Sequence, residues 1–206
     1  MKKTAKPKKA AKAKKSAPKT KKRSKPIASP YYAQSKRLGF RLIEAGDEAL
    51  YCGLFTDAKS VEHFCSPLSV ERAKQSFAKA LAVSAVKPLK QRITTVVDKG
   101  SKKTLGIASI RLVDPVSRIA EVGILLKPNA QAQRFATEAS LALISSAFRW
   151  HTIDGITAQV AVEHKVGERL VKTLGYARGG DIAASADCGA RTSWSMSRET
   201  WAATAK

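Results

Sequence analysis

Apolar and polar positions alternate along this chain in blocks that predict a run of strands followed by strands and helices in turn. Leu38 to Ile43 is apolar enough for a first strand around Phe40–Ile43, and a helix is expected near Asp47–Asp57. From Ser69 the period changes to that of a helix: Ala73, Phe77, Ala80 and Leu81 share one face through about Val83. Ser69 can cap it and Glu71 sits in its first turn. Ile93–Val97, Leu105–Leu112 and Ile119–Leu126 read as strands joined by the polar turns DKGSKK and DPVS. A long helix is expected from about Ala132 to Trp150, then a strand at Ile156–Val162. A shorter helix at Lys165–Leu174 carries the stripe Val166, Leu170, Val171 and Leu174, with Gly175 placed to end it. A last strand is expected near Thr192–Ser197. This order describes an α/β (α+β) fold, a mixed sheet flanked by helices.

One segment concentrates the candidate chemistry. AEVGILLKPNAQAQRFAT, residues 120–137, runs from a buried strand (Val122, Ile124, Leu126) through a Lys-Pro-Asn turn into a helix start. A strand entering a helix through a short loop brings unpaired backbone N–H groups to one point, an arrangement suited to a phosphorylated cofactor.

Charge divides the chain in two. The formal net charge is +22, and 13 of the 38 Lys and Arg residues fall within residues 1–25, which hold no acid. Residues 1–30 are rich in Lys, Ala and Pro and lack branched apolar residues before Ile27, so they are expected to be a disordered tail ahead of a domain at 31–206. The tail resembles the basic tails of histone H1-like proteins. Such a polycation neutralises phosphates without reading sequence, so Lys8, Lys9, Lys14, Lys15, Lys21, Lys22, Arg23 and Lys25 are the nucleic-acid-binding candidates. The alternative is a merely solubilising tail. KKRSK at 21–25 also fits a nuclear localisation run in a eukaryote. Cys52, Cys65 and Cys188 lack paired spacing and are expected as buried free thiols of a reducing compartment, without a metal site. No apolar run is long enough to span a membrane, so a soluble cytoplasmic protein is expected. His63 and His151 have no supporting context and read as surface residues.

The segments at 120–139 and at 162–176 (VEHKVGERLVKTLGY), with the closing WSMSRETW at 194–201, resemble the GCN5-related N-acetyltransferases. The likeness covers roughly residues 38–201 and is nearest to the ribosomal-protein N-terminal acetyltransferase branch. It implies a mostly antiparallel sheet whose strand around Glu121 splays from its neighbour. Acetyl-CoA is then the cofactor, with its pantetheine arm along Leu125 and Leu126. The family's phosphate loop, Gln/Arg-x-x-Gly-x-Gly/Ala, falls on Gln131, Ala132, Gln133, Arg134, Phe135 and Ala136, with Thr137 following. Gln131 and Ala136 match it, whereas Arg134 replaces the central glycine. That arginine either obstructs close phosphate approach or supplies phosphate contacts through its own fork. In the second motif His164 stands where the family has asparagine, and Gly167 where it has serine.

Amine acetylation needs a proton acceptor, a polarised thioester carbonyl and help for the departing thiolate. The resemblance makes Glu121 the first base candidate, with Glu163 and His164 next. Glu121 can equally be an ion-paired strand residue, and His164 a helix cap. Val171 stands where related enzymes often have a tyrosine acid, and Tyr176 reads as core. The leading expectation is an acetyl-CoA-dependent N-acetyltransferase of a protein amine, localised to ribosome or nucleoid by its tail. The alternative is a catalytically inactive module of the same fold anchored on nucleic acid.

Overall fold

The computed structural model describes Met1 and residues 31–86, 90–131, 135–149 and 153–204. The candidate tail residues from Lys8 to Lys25, and Ala132, Gln133 and Arg134, lie outside them, as does His151.

Eight strands pair into one sheet: β1 (Ala33–Gln34), β2 (Leu38–Leu42), β3 (Gln91–Asp98), β4 (Thr104–Asp114), β5 (Ile119–Leu126), β6 (Gly155–Ala161), β7 (Ala177–Ile182) and β8 (Arg191–Ser197). Their order across the sheet is β1-β2-β3-β4-β5-β6-β8-β7. Neighbours run antiparallel except β5 and β6, which are parallel. The turn before β4 is tied by Asp98, which accepts from the Gly100 amide at 3.0 Å and the Ser101 hydroxyl at 2.6 Å. The turn before β5 is tied by Asp114, which accepts from the Val116 and Ser117 amides.

Helices cover both faces: α1 (Glu48–Thr56), α2 (Ala58–Val61), α3 (Val70–Ala85), α4 (Pro128–Gln131), α5 (Phe135–Arg149), α6 (Lys165–Thr173) and α7 (Arg198–Thr204). The larger core sets Phe40, Val96, Ile110 and Ile156 of the sheet against Leu143, Ala147 and Phe148 of α5. On the other face Ile93 and Ile107 meet Tyr51 and Leu54 of α1 and Phe77 and Ala80 of α3. Ser69 caps α3 as expected, its hydroxyl accepting from the Arg72 amide.

The expected strands and longer helices are present, most with shifts of a residue or two. The helix expected from about Ala132 is described from Phe135, the turn expected at 127–129 opens α4, and four further points differ from expectation. β7 (ARGGDI) was not anticipated; all six residues are exposed, so it shows no buried face and rests on backbone pairing with β8. Val166, assigned to the apolar stripe of α6, is exposed, while Gly167 and Val171 are buried. Cys65 and Cys188 are joined by a disulfide, and Cys52 alone remains a free thiol. Fold proximity, invisible in spacing, pairs them across 123 residues. Finally, His63 is exposed as expected but has a partner, described below.

Gly175 ends α6 with φ +88°, a backbone conformation that side chains disfavour. The turn sends Tyr176 back into the core, where burial pushes its phenol well above the usual range. Among the described residues no helix is long and apolar enough to cross a membrane, and no cluster of side chains fits a metal ion.

Candidate functional site

β5 and β6 pair through Ile119↔Gly155, Ala120↔Ile156 and Glu121↔Thr157, and then part. β5 runs on to Leu126 and β6 to Ala161 with a gap between them. A cavity of about 770 Å³ fills that gap. Its strand walls are Val122, Ile124 and Leu126 on one side and Ala158 and Val160 on the other. α5 closes it with Ala136, Ser140 and Leu143, and α6 with Gly167, Leu170 and Val171. The size lies within the range of small-molecule sites, and the apolar walls flanked by strand edges fit a long, thin acyl carrier.

A polar chain braces the fork where the strands separate. Arg111 donates to Glu121 at 3.1 Å, and Gln159 donates to the other Glu121 oxygen at 3.0 Å. Arg191 donates to Gln159 at 3.0 Å and reaches the Phe64 carbonyl at 3.2 Å. Glu121 is therefore an ion-paired strand residue at the last rung, and it does not line the cavity.

His164 follows β6 and occupies the N-cap of α6, but its side chain makes no capping bond. Half-buried, it lines the cavity instead. Its ring stacks on that of His63, with centroids 4.2 Å apart and planes 17° from parallel. Burial lowers the His164 proton affinity, the neighbouring His63 lowers it further, and Glu62 partly offsets both. Gly167 makes room for this ring. A Cβ there would come within 2.6 Å of His164 Nδ1 and 2.9 Å of Cε1. The two departures in the second motif thus fit each other: histidine takes the space that a serine side chain would need.

A second cavity, about 520 Å³, adjoins the first across Glu62, His63, Phe64 and Ala161. Its walls are the segment after α2 and the β7–β8 loop, fastened by the Cys65–Cys188 bond and by the Ser66 amide donating to the Asp187 carbonyl. Glu62, Glu163 and Asp187 line it, and none is ion-paired among the described residues. α2 is set in place by Asp57, whose carboxylate accepts from the Ser60 amide and hydroxyl.

The structure therefore brings Leu125, Leu126, Ala136 and His164 to one cavity. Phe135 instead turns into the core beneath the Arg37 guanidinium, 4.3 Å from its ring centre, and Thr137 is half-buried outside the lining. Gln131 belongs to α4 by its backbone. Glu163, a base candidate from the sequence, lines the second cavity instead. His63, Glu62 and Asp187 were missed, because the contacts that give them meaning join segments distant in sequence.

A sheet forked at a parallel pair, with helices on both faces and a cavity in the fork, defines an acyltransferase-type architecture. The chain belongs to the GNAT acetyltransferases: residues 37–177 match the acetyltransferase (GNAT) domain. Acetyl-CoA is the cofactor of that family. The fold is similar to the spermidine N-acetyltransferase of Vibrio cholerae solved with CoA and spermine, at TM-score 0.70 and 19% identity, covering 82% of this chain and 99% of that one. It is similar also to RimL, the ribosomal L7/L12 alpha-N-protein acetyltransferase solved with CoA, at TM-score 0.68 and 13% identity, covering 81% and 97%. A GNAT-family acetyltransferase from Bacillus anthracis follows at TM-score 0.66 and 17% identity, covering 81% and 98%. At these identities the likeness is one of fold. No curated protein matches the chain.

Proposed function

We propose that this protein is an acetyl-CoA-dependent N-acetyltransferase of amines, with a protein amine as acceptor and a polycationic tail that holds it to ribosome or nucleoid. The observation that carries the reading is the fork: β5 and β6 part after three rungs, and the cavity between them has the shape and apolar walls for the cofactor arm. Leu125, Leu126 and Ala136 line its course. Gln131, Ala132, Gln133 and Arg134 are proposed to hold the phosphate end, with Arg134 substituting its fork for the missing glycine.

Bound acetyl-CoA supplies an activated acetyl group and a thiol leaving group. The chain's own part is to bring an amine beside it and remove a proton. His164 suits this task, since it faces the cavity and burial favours its neutral form. Glu121, held by Arg111 and Gln159, is proposed to fix the fork geometry rather than to take the proton.

A small cationic acceptor such as a polyamine is a second reading. The positive charge of the whole body argues against it, but Glu62, Glu163 and Asp187 make the second cavity locally acidic. Calorimetric titration of the full chain, freed of nucleic acid, tests the main proposal. Binding of acetyl-CoA in the micromolar range that weakens in Arg134→Ala is expected; absence of heat at millimolar cofactor would leave an inactive module. Mass spectrometry after incubation with spermidine or a basic peptide then distinguishes the acceptors.

A further inference from the structure

We infer that His63 is a positioning residue for His164, and that the stacked imidazole pair is the device that readies the acceptor amine. The inference rests on the acetyltransferase reading above and assigns the pair a place within it.

The geometry has three parts. His63 lines both cavities, and Ala161, Glu62 and Phe64 are the other residues the two cavities share. The pair therefore stands at the passage between the space fitted to an acyl carrier and the acidic space fitted to a cationic amine. The two rings lie nearly parallel at 4.2 Å, which fixes the plane of His164 without using its nitrogens in the stack. Gly167 removes the side chain that would displace the ring.

Two imidazoles in such contact disfavour a second positive charge, and burial adds to this at His164, so the neutral form of that ring is favoured. A protonated amine arriving from the second cavity loses one proton to a nitrogen of His164, giving a free amine and an imidazolium. The imidazolium returns that proton to water at the open mouth. His63 takes no part in the transfer, since stacked rings present faces and not N–H groups to each other. Its work is to orient His164 and to hold down its proton affinity. Other charges line the two cavities around it: Glu62 after α2 and Lys59 on α2, Glu163 beside His164, and Asp187 in the β7–β8 loop, while Lys165 and Glu168 in the first turn of α6 are ion-paired with each other. Glu62 acts in the opposite sense, favouring the charged imidazole.

The test is a proton NMR titration of the full chain, whose three histidines give a small set of ring signals. His63→Phe keeps an aromatic face against His164 but cannot be charged. The midpoint of His164 is expected to rise by about 0.5–1 pH unit in this variant, the size expected for one like charge at this distance. The acidic limb of kcat/KM should move with it, lowering activity well below the midpoint by about threefold to tenfold. His63→Ala should instead release the ring and reduce kcat across the whole pH range. Gly167→Ala, which displaces the ring from the stack, should move the His164 midpoint as His63→Phe does. A His164 midpoint that stays put in both His63→Phe and Gly167→Ala would overturn the inference. The NMR midpoints need no cofactor, so failure of the pair is distinguishable from failure of acetyl-CoA to bind, which calorimetry reads separately.

Discussion

Asp47 shows how one residue secures the front of the fold. It is 3% exposed, and Arg41 meets its two carboxylate oxygens at 2.7 Å each. The Thr95 hydroxyl adds a bond at 2.8 Å and the Glu44 amide one at 3.0 Å. Burial raises its proton affinity, but Arg41, the Glu44 amide and Thr95 together hold the carboxyl below its ordinary range. Asp47→Asn leaves Arg41 with only the exposed Glu44 carboxylate, 3.2 Å away, as counter-charge, and a loss of about 3 kcal/mol in urea unfolding is expected. Glu138 behaves alike: burial is outweighed by the Ser35 hydroxyl and by the Arg37 amide and guanidinium. A carboxylate lowered in the fold stabilises above the unfolded pKa and ceases to as pH falls through the folded one. His164, also lowered, acts in the same direction at higher pH. Urea midpoints are therefore expected to fall steadily from about pH 6 downward, most steeply below about pH 4. At this scale the sequence was legible for single residues with local partners, such as Ser69 and Gly175. Pairs such as His63 with His164 were not, because nothing in either local pattern names the other.

Elements were legible where they carry a buried face. β3, β4, β5, α3 and α5 each place a periodic apolar set in the core. β7 has no such set, and α2 is four residues held mainly by one aspartate. The segments that follow both unlegible elements line the second cavity, and the bond from Cys65 to Cys188 fastens those segments together. Reduction, or Cys65→Ser, should therefore raise KM for the acceptor more than KM for acetyl-CoA, which steady-state kinetics with and without a dithiol will show. The same change frees a loop of 123 residues in the unfolded chain, worth up to about 5 kcal/mol in a chain-entropy account, so a lower Tm should accompany it. Equal KM values before and after reduction would separate the strap from acceptor binding.

On the scale of the whole molecule, the basic charge is divided between the candidate tail and the folded body. With 13 Lys and Arg in residues 1–25, deletion of that segment is expected to weaken binding to duplex DNA or RNA and flatten its salt dependence by several units. Unchanged affinity and slope would place the nucleic-acid contacts on the body or nowhere. The fold class was legible from element order alone, while the altered loop left the cofactor question to geometry. The fork has a mechanical consequence as well. Three rungs join a five-stranded leaf, β1 to β5, to a three-stranded leaf of β6, β8 and β7. The seam between them is the natural line for local opening, and backbone amides along β6 are expected to exchange with solvent sooner than those of β3 and β4. A molecule lodged in the gap would bridge the two leaves like a spar between hulls. Its occupancy would be felt at the far edge of the smaller leaf, well beyond any atom it touches.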